Sequence, residues 1–127
     1  MKYIQTPAAP APIGPYSQAV ENNGMLFVSG QIALNPATGM MIQDSIEEEA
    51  EQVMKNLEAI LWAAGTSFHS VLKTTILLSD MAHFTTVNAI YGRYFEADKV
   101  PARETFAAAG LPRQANIEIS MVVAVYR

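Results

Sequence analysis

The stretch Ile117–Tyr126, IEISMVVAVY, decides the fold class of this chain. It is rich in β-branched and other apolar residues, which is typical of a strand. Apolar side chains fill its odd positions, and Val122, Ala124 and Tyr126 are apolar on the even side as well. Because the side chains of a strand alternate between the two faces of a sheet, this strand is expected to be covered on both faces.

Two helices are predicted to cover one of those faces. The segment 45–65 begins with a capping box formed by Ser45 and Glu48, and its apolar residues fall on one helical face. Asp80 is predicted to cap a second helix over residues 81–97. The acidic run EEEAE is interpreted as a solvated face beside the positive helix end, and not as a metal site. Trp62 lies off the apolar face, where it either rests on a flank or meets another subunit.

The remaining segments predict further strands at residues 1–5, 16–20, 25–33 and 71–78, with a strand-like piece at Arg103. The turn signal at 22–24, NNG, predicts a hairpin between the second and third of these strands. The order of elements predicts a single α+β domain over residues 1–127, with both helices on one face. A second copy of the chain is the simplest cover for the other face, so the pattern indicates an oligomer.

Composition narrows the class of protein. The 127 residues are 50% apolar and 16% charged, with a net charge of −4 and no basic block, which argues against a nucleic-acid surface. The absence of cysteine excludes disulfides and thiolate chemistry, and His69 and His83 are the only imidazoles. Without a metal-ligand motif or an apolar run of signal or membrane length, we expect a metal-free, cytoplasmic protein that contacts no membrane.

Two charged residues stand in apolar, extended surroundings, on either side of a loop: Arg103 and Glu118. Long charged side chains are rarely fully buried unless they are paired or bind something. One interpretation is an ion pair that closes the loop, and another is two solvated edge charges. A third is an anion site, because a guanidinium grips a carboxylate or phosphate with two hydrogen bonds.

Other polar residues also occupy unusual positions. Ser29-Gly30 interrupts a strand, which marks either a bulge or a place where a ligand meets exposed backbone N–H groups. Asn88 lies within the apolar stripe of the second helix and is either satisfied by nearby backbone or directed into a polar cleft. Thr105 alternates onto the strand face of Arg103, and Tyr16 follows a proline-rich loop. Together these residues suggest water chemistry on a small anionic substrate.

Several motifs in the correct order now resemble the RidA/YjgF/YER057c/UK114 family of reactive intermediate deaminases. The resemblance covers essentially the whole chain. The residues that carry it are APIGPYSQA at 11–19, VSGQI at 28–32, Asn35-Pro36, Gly39, Asn56-Leu57, Val87-Asn88, Tyr91, Pro101-Ala102-Arg103, Leu111-Pro112 and Ile117-Glu118-Ile119.

The resemblance implies a chorismate-mutase-like fold, with a mixed β-sheet and two helices on one face, assembled as a homotrimer with clefts between subunits. It implies a hydrolase that converts enamine and imine intermediates, such as 2-iminobutanoate and 2-iminopropanoate, to 2-oxo acids and ammonia. Pyridoxal-phosphate-dependent dehydratases release these intermediates, while the deaminase itself uses no cofactor.

The resemblance also implies roles for residues. Arg103 corresponds to the clamp on the substrate carboxylate, and Glu118 to the acid that positions or activates water. The positions of Tyr16, Ser29, Gly30 and Asn88 match substrate-binding positions, to which we add Arg103 itself and Thr105. The sequence departs from the family at Glu104, where a small residue is usual. Strand alternation predicts that Glu104 faces away from Arg103.

Other functions remain open at this point. A non-catalytic trimer would use the same cleft to bind 2-oxo acids and regulate a partner. An endoribonuclease or translation inhibitor is less consistent with the acidic charge and the lack of a basic stripe. A deaminase specialised for ring-derived imines is a further alternative.

Overall fold

The computed structural model describes residues 1–127, which form one mixed six-stranded sheet and two α-helices. The elements in chain order are β1 (Lys2–Ile4), β2 (Ala19–Asn22), β3 (Met25–Gln31), α1 (Ile46–Ala63), β4 (Val71–Leu78), α2 (Phe84–Gly92), β5 (Ala102–Ala107) and β6 (Ile117–Ala124). The strand order is β1-β2-β3-β6-β4-β5, and only β4 and β5 run parallel. The α+β prediction is confirmed. Neither helix is long and apolar enough to cross a membrane.

The last strand lies at the centre of the sheet, between β3 and β4. Its odd residues are buried in the main core against the helices, from Ile117 to Val123. Of its even residues, Glu118, Ser120 and Val122 are only partly buried on the opposite, open face, while Ala124 is buried. Phe27 on the adjacent β3 is 50% exposed on that face, and Phe106 on the edge strand β5 is 48% exposed. The helices therefore cover one face only, as the apolar pattern predicts.

Three predicted element boundaries are wrong. The first hairpin strand starts at Ala19 and not at residue 16, because Tyr16 belongs to the loop, where its hydroxyl accepts a hydrogen bond from the Ile13 N–H at 3.2 Å. β3 ends at Gln31 and not at residue 33, and β6 ends at Ala124 and not at residue 126.

The second helix is shorter than its apolar stripe. A 3-10 turn over Met81–His83 precedes α2, which ends at Gly92 rather than at residue 97. Beyond that glycine, a poor helix former, Tyr94 and Phe95 turn to pack edge-on against Phe68, with ring centroids 5.3 and 5.5 Å apart. The stripe continues as tertiary packing and not as helix.

The acidic run of α1 is only partly solvated, which corrects the prediction for this segment. Ser45 caps the helix by accepting the Glu48 N–H at 3.1 Å, and Glu47 and Glu48 are exposed. Glu49, in contrast, is wholly buried. Its two carboxylate oxygens accept the backbone N–H of Asn116 at 2.7 Å and the Asn116 Nδ2 at 2.9 Å. This contact fixes the chain just before β6 to the first helix.

The buried contact of Glu49 predicts a specific loss of stability. Glu49→Leu removes the acceptor from two donors of Asn116, and unsatisfied buried donors cost about 1–3 kcal/mol. We expect a fall of that size in the free energy of unfolding, measured by urea denaturation. Glu47→Leu, at an exposed position of the same turn, is the control and should change stability by about 0.5 kcal/mol or less. Equal losses in the two variants would contradict a stabilising role for the buried contact.

Candidate functional site

Arg103 and Glu118 lie on opposite faces of the sheet. Arg103 is in register with Thr74, which is buried under the helices. Glu118 is in register with Leu77 on the open face, between the core residues Ile117 and Ile119. No ion pair joins the two charges. The interpretation as a loop-closing Arg–Glu pair is therefore wrong.

Arg103 is held at the sheet edge by residues of α2. Its Nη1 donates a hydrogen bond of 2.6 Å to Asn88 Oδ1. Its guanidinium carbon lies 5.7 Å from the ring centre of Phe84 and 5.2 Å from that of Tyr91, within the range of cation–π attraction. The Tyr91 hydroxyl donates to Thr74 Oγ1 at 2.9 Å, and burial raises the pKa of Tyr91. Asn88 is exposed, and its side-chain oxygen accepts a hydrogen bond from Arg103 and not from a backbone N–H.

This arrangement leaves Arg103 ready for an anion. An arginine side chain carries five N–H donors, and one hydrogen bond to a neutral amide leaves most of them unused. No carboxylate of the chain neutralises its charge. The aromatic rings and Asn88 restrict the side chain, so less entropy is lost when a carboxylate binds.

The residues that follow Arg103 alternate as predicted. Thr105 is in register with Ile76 on the helix face, and its hydroxyl oxygen is buried without a hydrogen-bond partner in the chain. Glu104 points to the other face, where its Oε1 lies 2.6 Å from Lys73 Nζ. Glu104 therefore does not compete for Arg103.

A second group of predicted residues lines a cleft of about 480 Å³ on the other side of the sheet. Tyr16, Ser29, Gly30 and Glu118 meet there, but Arg103, Asn88 and Thr105 do not. The remaining lining residues come from three loops and from the end of β3: Pro10, Ile13, Gln31, Ile32, Leu34, Pro112 and Arg113. One chain thus divides the predicted site residues between two places.

A β-bulge sets the distance between Gly30 and Glu118. The register of β3 with β6 shifts between Val28 and Gln31, so Ser29-Gly30 is a bulge, as one of the two interpretations predicts. A Cβ atom at position 30 would lie 2.6 Å from Glu118 Oε2, which is closer than such atoms approach. A side chain at position 30 would therefore displace the Glu118 carboxylate from its place. Burial raises the pKa of Glu118, because the charged form loses water contacts.

Ser29 and Tyr16 shape the cleft through the N-terminal loop. The Ser29 hydroxyl donates to the Ser17 carbonyl at 2.6 Å, and the Ser29 N–H donates to the Gln18 carbonyl at 3.0 Å. Neither group of Ser29 is a free donor, so its N–H is not available to a ligand. The Tyr16 hydroxyl accepts from the Ile13 N–H and keeps its own proton for another partner.

Three buried polar side chains, which were not among the predicted site residues, hold the walls of the cleft. The Gln18 amide donates to the Thr6 carbonyl at 3.0 Å and to the Pro10 carbonyl at 2.9 Å. Asn56 Nδ2 donates to the carbonyls of residues 32 and 34 at 3.1 and 2.9 Å. Glu49 holds the third wall through Asn116. A signal existed for two of them, since Glu49 and Asn56 flank Val53 at helical spacing and must share its buried face.

The raised pKa of Glu118 predicts a pH-dependent cost to stability. A carboxyl whose pKa is higher in the folded protein favours folding when protonated, and this contribution is lost as the pH rises through the folded pKa. Glu118→Gln has no such loss. The melting temperature of the variant relative to that of wild type should therefore be higher at pH 7 than at pH 4. Thermal denaturation at both pH values tests this, with Glu48→Gln in the exposed first turn of α1 as control. A wild-type-to-variant difference that is constant with pH would contradict it.

Comparisons with known proteins agree with these motifs. The family model described as Endoribonuclease L-PSP matches residues 6–125. Reactive Intermediate Deaminase A from Arabidopsis thaliana chloroplasts is 49% identical over 94% of this chain, which spans 63% of that protein. The 2-iminobutanoate/2-iminopropanoate deaminase of Mus musculus is 48% identical over 95% of this chain and 89% of that protein.

Solved structures of other proteins share this fold. A crystal structure from Thermotoga maritima, named for a proposed endoribonuclease activity, superposes with a TM-score of 0.95 at 46% identity. That alignment covers 100% of this chain and 99% of the other. The chain therefore belongs to the family that the Endoribonuclease L-PSP model describes, which is the RidA/YjgF/YER057c/UK114 family that its motifs resemble.

Proposed function

We propose that this protein is a cofactor-independent 2-iminobutanoate/2-iminopropanoate deaminase, a hydrolase that converts reactive imines to 2-oxo acids and ammonia. The mouse and Arabidopsis relatives bear the names of such deaminases. The observation that carries the proposal is the Glu118 carboxyl with a raised pKa, set against Gly30 in a cleft. A carboxyl whose pKa is raised by burial accepts a proton from water more readily than an exposed carboxyl does.

The site is proposed to form between subunits of a homotrimer. A three- or four-carbon imine cannot reach Arg103 and Glu118 of one chain, because the sheet lies between them. A neighbouring copy can place its own Arg103 and Asn88 over the cleft that holds Glu118. The open face supports such an assembly, since Phe27 and Phe106 are about half exposed there and such apolar patches mark contact surfaces.

In the proposed reaction, Arg103 binds the substrate carboxylate and fixes the imine carbon in one orientation. Asn88 holds Arg103 through its amide oxygen. The hydroxyls of Tyr16 and Thr105 and the backbone of Gly30 complete substrate binding, while Ser29 shapes the cleft through its bonds to the N-terminal loop. Thr105 supports this role because its buried hydroxyl has no partner in the chain.

Glu118 manages the protons. Its carboxylate accepts a proton from water as the oxygen attacks the carbon of the protonated imine, which gives a neutral carbinolamine. The carboxylic acid then returns that proton to the nitrogen. The carbon–nitrogen bond breaks and ammonia leaves, while the carboxylate takes the hydroxyl proton as the carbonyl forms and then releases it to water. The amine nitrogen is the only leaving group, and the products are one 2-oxo acid and one ammonia. A moderate acceleration suffices because these imines also hydrolyse in water.

The activity of wild type and Arg103→Ala tests the proposal. In an assay coupled to a dehydratase that releases 2-aminoacrylate, wild type should accelerate pyruvate formation. Arg103→Ala should lose about 100-fold or more in kcat/KM, since a charge-assisted bidentate contact is removed. Arg93→Ala, at an exposed arginine paired with Glu51 at 3.7 Å, is the control and should keep wild-type activity. No acceleration by wild type would overturn the proposed function.

The assembly is tested separately. Phe27→Asp places a charge on the open face and should dissociate the trimer, which light scattering would detect as a fall in mass. Trp62→Asp, on the exposed outer surface of α1 with 65% of Trp62 accessible, should leave the mass unchanged. The opposite result would move the contact surface to the helix layer.

A further inference from the structure

The loop Leu111–Asn116 contributes a positively charged residue, Arg113, to the cleft. Of the residues that line it, Arg113 is the only base and Glu118 the only acid. Arg113 lies on the rim with Pro112, beside the apolar wall of Ile32 and Leu34. The proposed mechanism leaves this cation without a role.

The backbone at Arg113 is held in an unfavourable conformation. Its φ and ψ are 56° and 27°, and the next residue, Gln114, also has a φ of 56°. The left-handed region is unfavourable for a residue with a side chain, and such strain persists only where the surroundings impose it. The surrounding contacts therefore fix the backbone conformation at Arg113.

Those surroundings are visible on both sides of the loop. The Ala115 N–H donates to the Pro112 carbonyl at 3.0 Å, and Gln43 Nε2 donates to the Gln114 carbonyl at 3.1 Å. Leu111 packs on a small apolar cluster of Ile32, Leu34 and Ala115. Asn116 is held by the buried Glu49 at the next position. The rim is therefore a fixed part of the cleft.

The side chain of Arg113 has no partner within the chain. The other three arginines each have one: Arg93 lies beside Glu51, Arg103 donates to Asn88, and Arg127 pairs with Glu21. No hydrogen bond or ion pair involves the Arg113 guanidinium, although Gln114, Ala115 and Asn116 beside it are hydrogen-bonded. Its charge is free for a ligand in the cleft.

We infer that Arg113 is a specificity-determining residue that favours 2-imino acids whose side chain ends in a second carboxylate. This rests on the proposed function. In the proposed site, Arg103 of a neighbouring copy binds the first carboxylate and Glu118 faces the imine carbon. The apolar wall of Ile32 and Leu34 then suits the methylene groups of a longer substrate. Arg113 then lies at the rim to bind the distal anion with two hydrogen bonds. A cleft of about 480 Å³ has room for such a substrate.

Kinetics with paired substrates test the inference. The imines of alanine and glutamate are generated in situ by amino-acid oxidases, and 2-oxo acid formation is followed with wild type and Arg113→Gln. We expect the variant to lose about tenfold in kcat/KM for 2-iminoglutarate, the equivalent of one charged contact, and less than twofold for 2-iminopropanoate. Lys55→Gln, at an exposed lysine on α1, is the matched control for the loss of one positive charge.

A binding measurement separates this inference from the proposed function. Titration calorimetry compares 2-oxoglutarate with 2-oxobutyrate, and Arg113→Gln should weaken only the first. If wild type hydrolyses no imine, the proposed function fails, yet the binding preference still tests Arg113. Equal losses for both ligands would overturn the inference, because Arg113 would then serve the common carboxylate. Unchanged affinities and rates would also overturn it and leave Arg113 a solvated side chain.

Discussion

The alternation of side chains between the two faces of the sheet is the constraint on which the rest of this structure depends. It sends Ile117 and Ile119 to the helices and Glu118 between them to the open face. On β5 it sends Arg103 toward α2 and Glu104 away from it. This alternation thus places Arg103 and Glu118 on opposite faces, and it keeps the Glu104 carboxylate away from Arg103. The same rule is why the proposed site needs a second copy of the chain.

The cleft is built by loops, and loops need fixed partners to keep a shape. Gln18, Asn56 and Glu49 are buried, and each donates to or accepts from the backbone of a different wall. Burial strengthens these hydrogen bonds and makes the loss of a partner costly. A simple apolar core would contain no such buried polar groups. Here they hold the loops that form the cleft in position.

The contact of Gly30 with Glu118 shows how the proposed site weakens the sheet that carries it. The bulge removes ladder pairing at the centre of the sheet, and the glycine leaves space that only the carboxylate fills. That carboxylate is held where its ionised form is disfavoured. The chain keeps a carboxyl at position 118 although burial disfavours its charge, which is the usual relation between stability and activity at a proposed site.

The sequence by itself determined the fold class, because apolar period and turn residues are local signals: β6, α1 and the hairpin at 22–24 all follow from them. It also identified Arg103, Glu118, Gly30 and Asn88 as residues out of place in their surroundings. It missed the burial of Glu49, since an acidic run at a helix start suits solvent equally well, and it missed Arg113, whose left-handed backbone has no glycine to mark it. Which face each charge occupies, and which loop it meets, only the tertiary structure decided. Those positions depend on register, a bulge and contacts between residues that are distant in sequence, such as Glu49 and Asn116, which are 67 positions apart. No local pattern encodes such contacts.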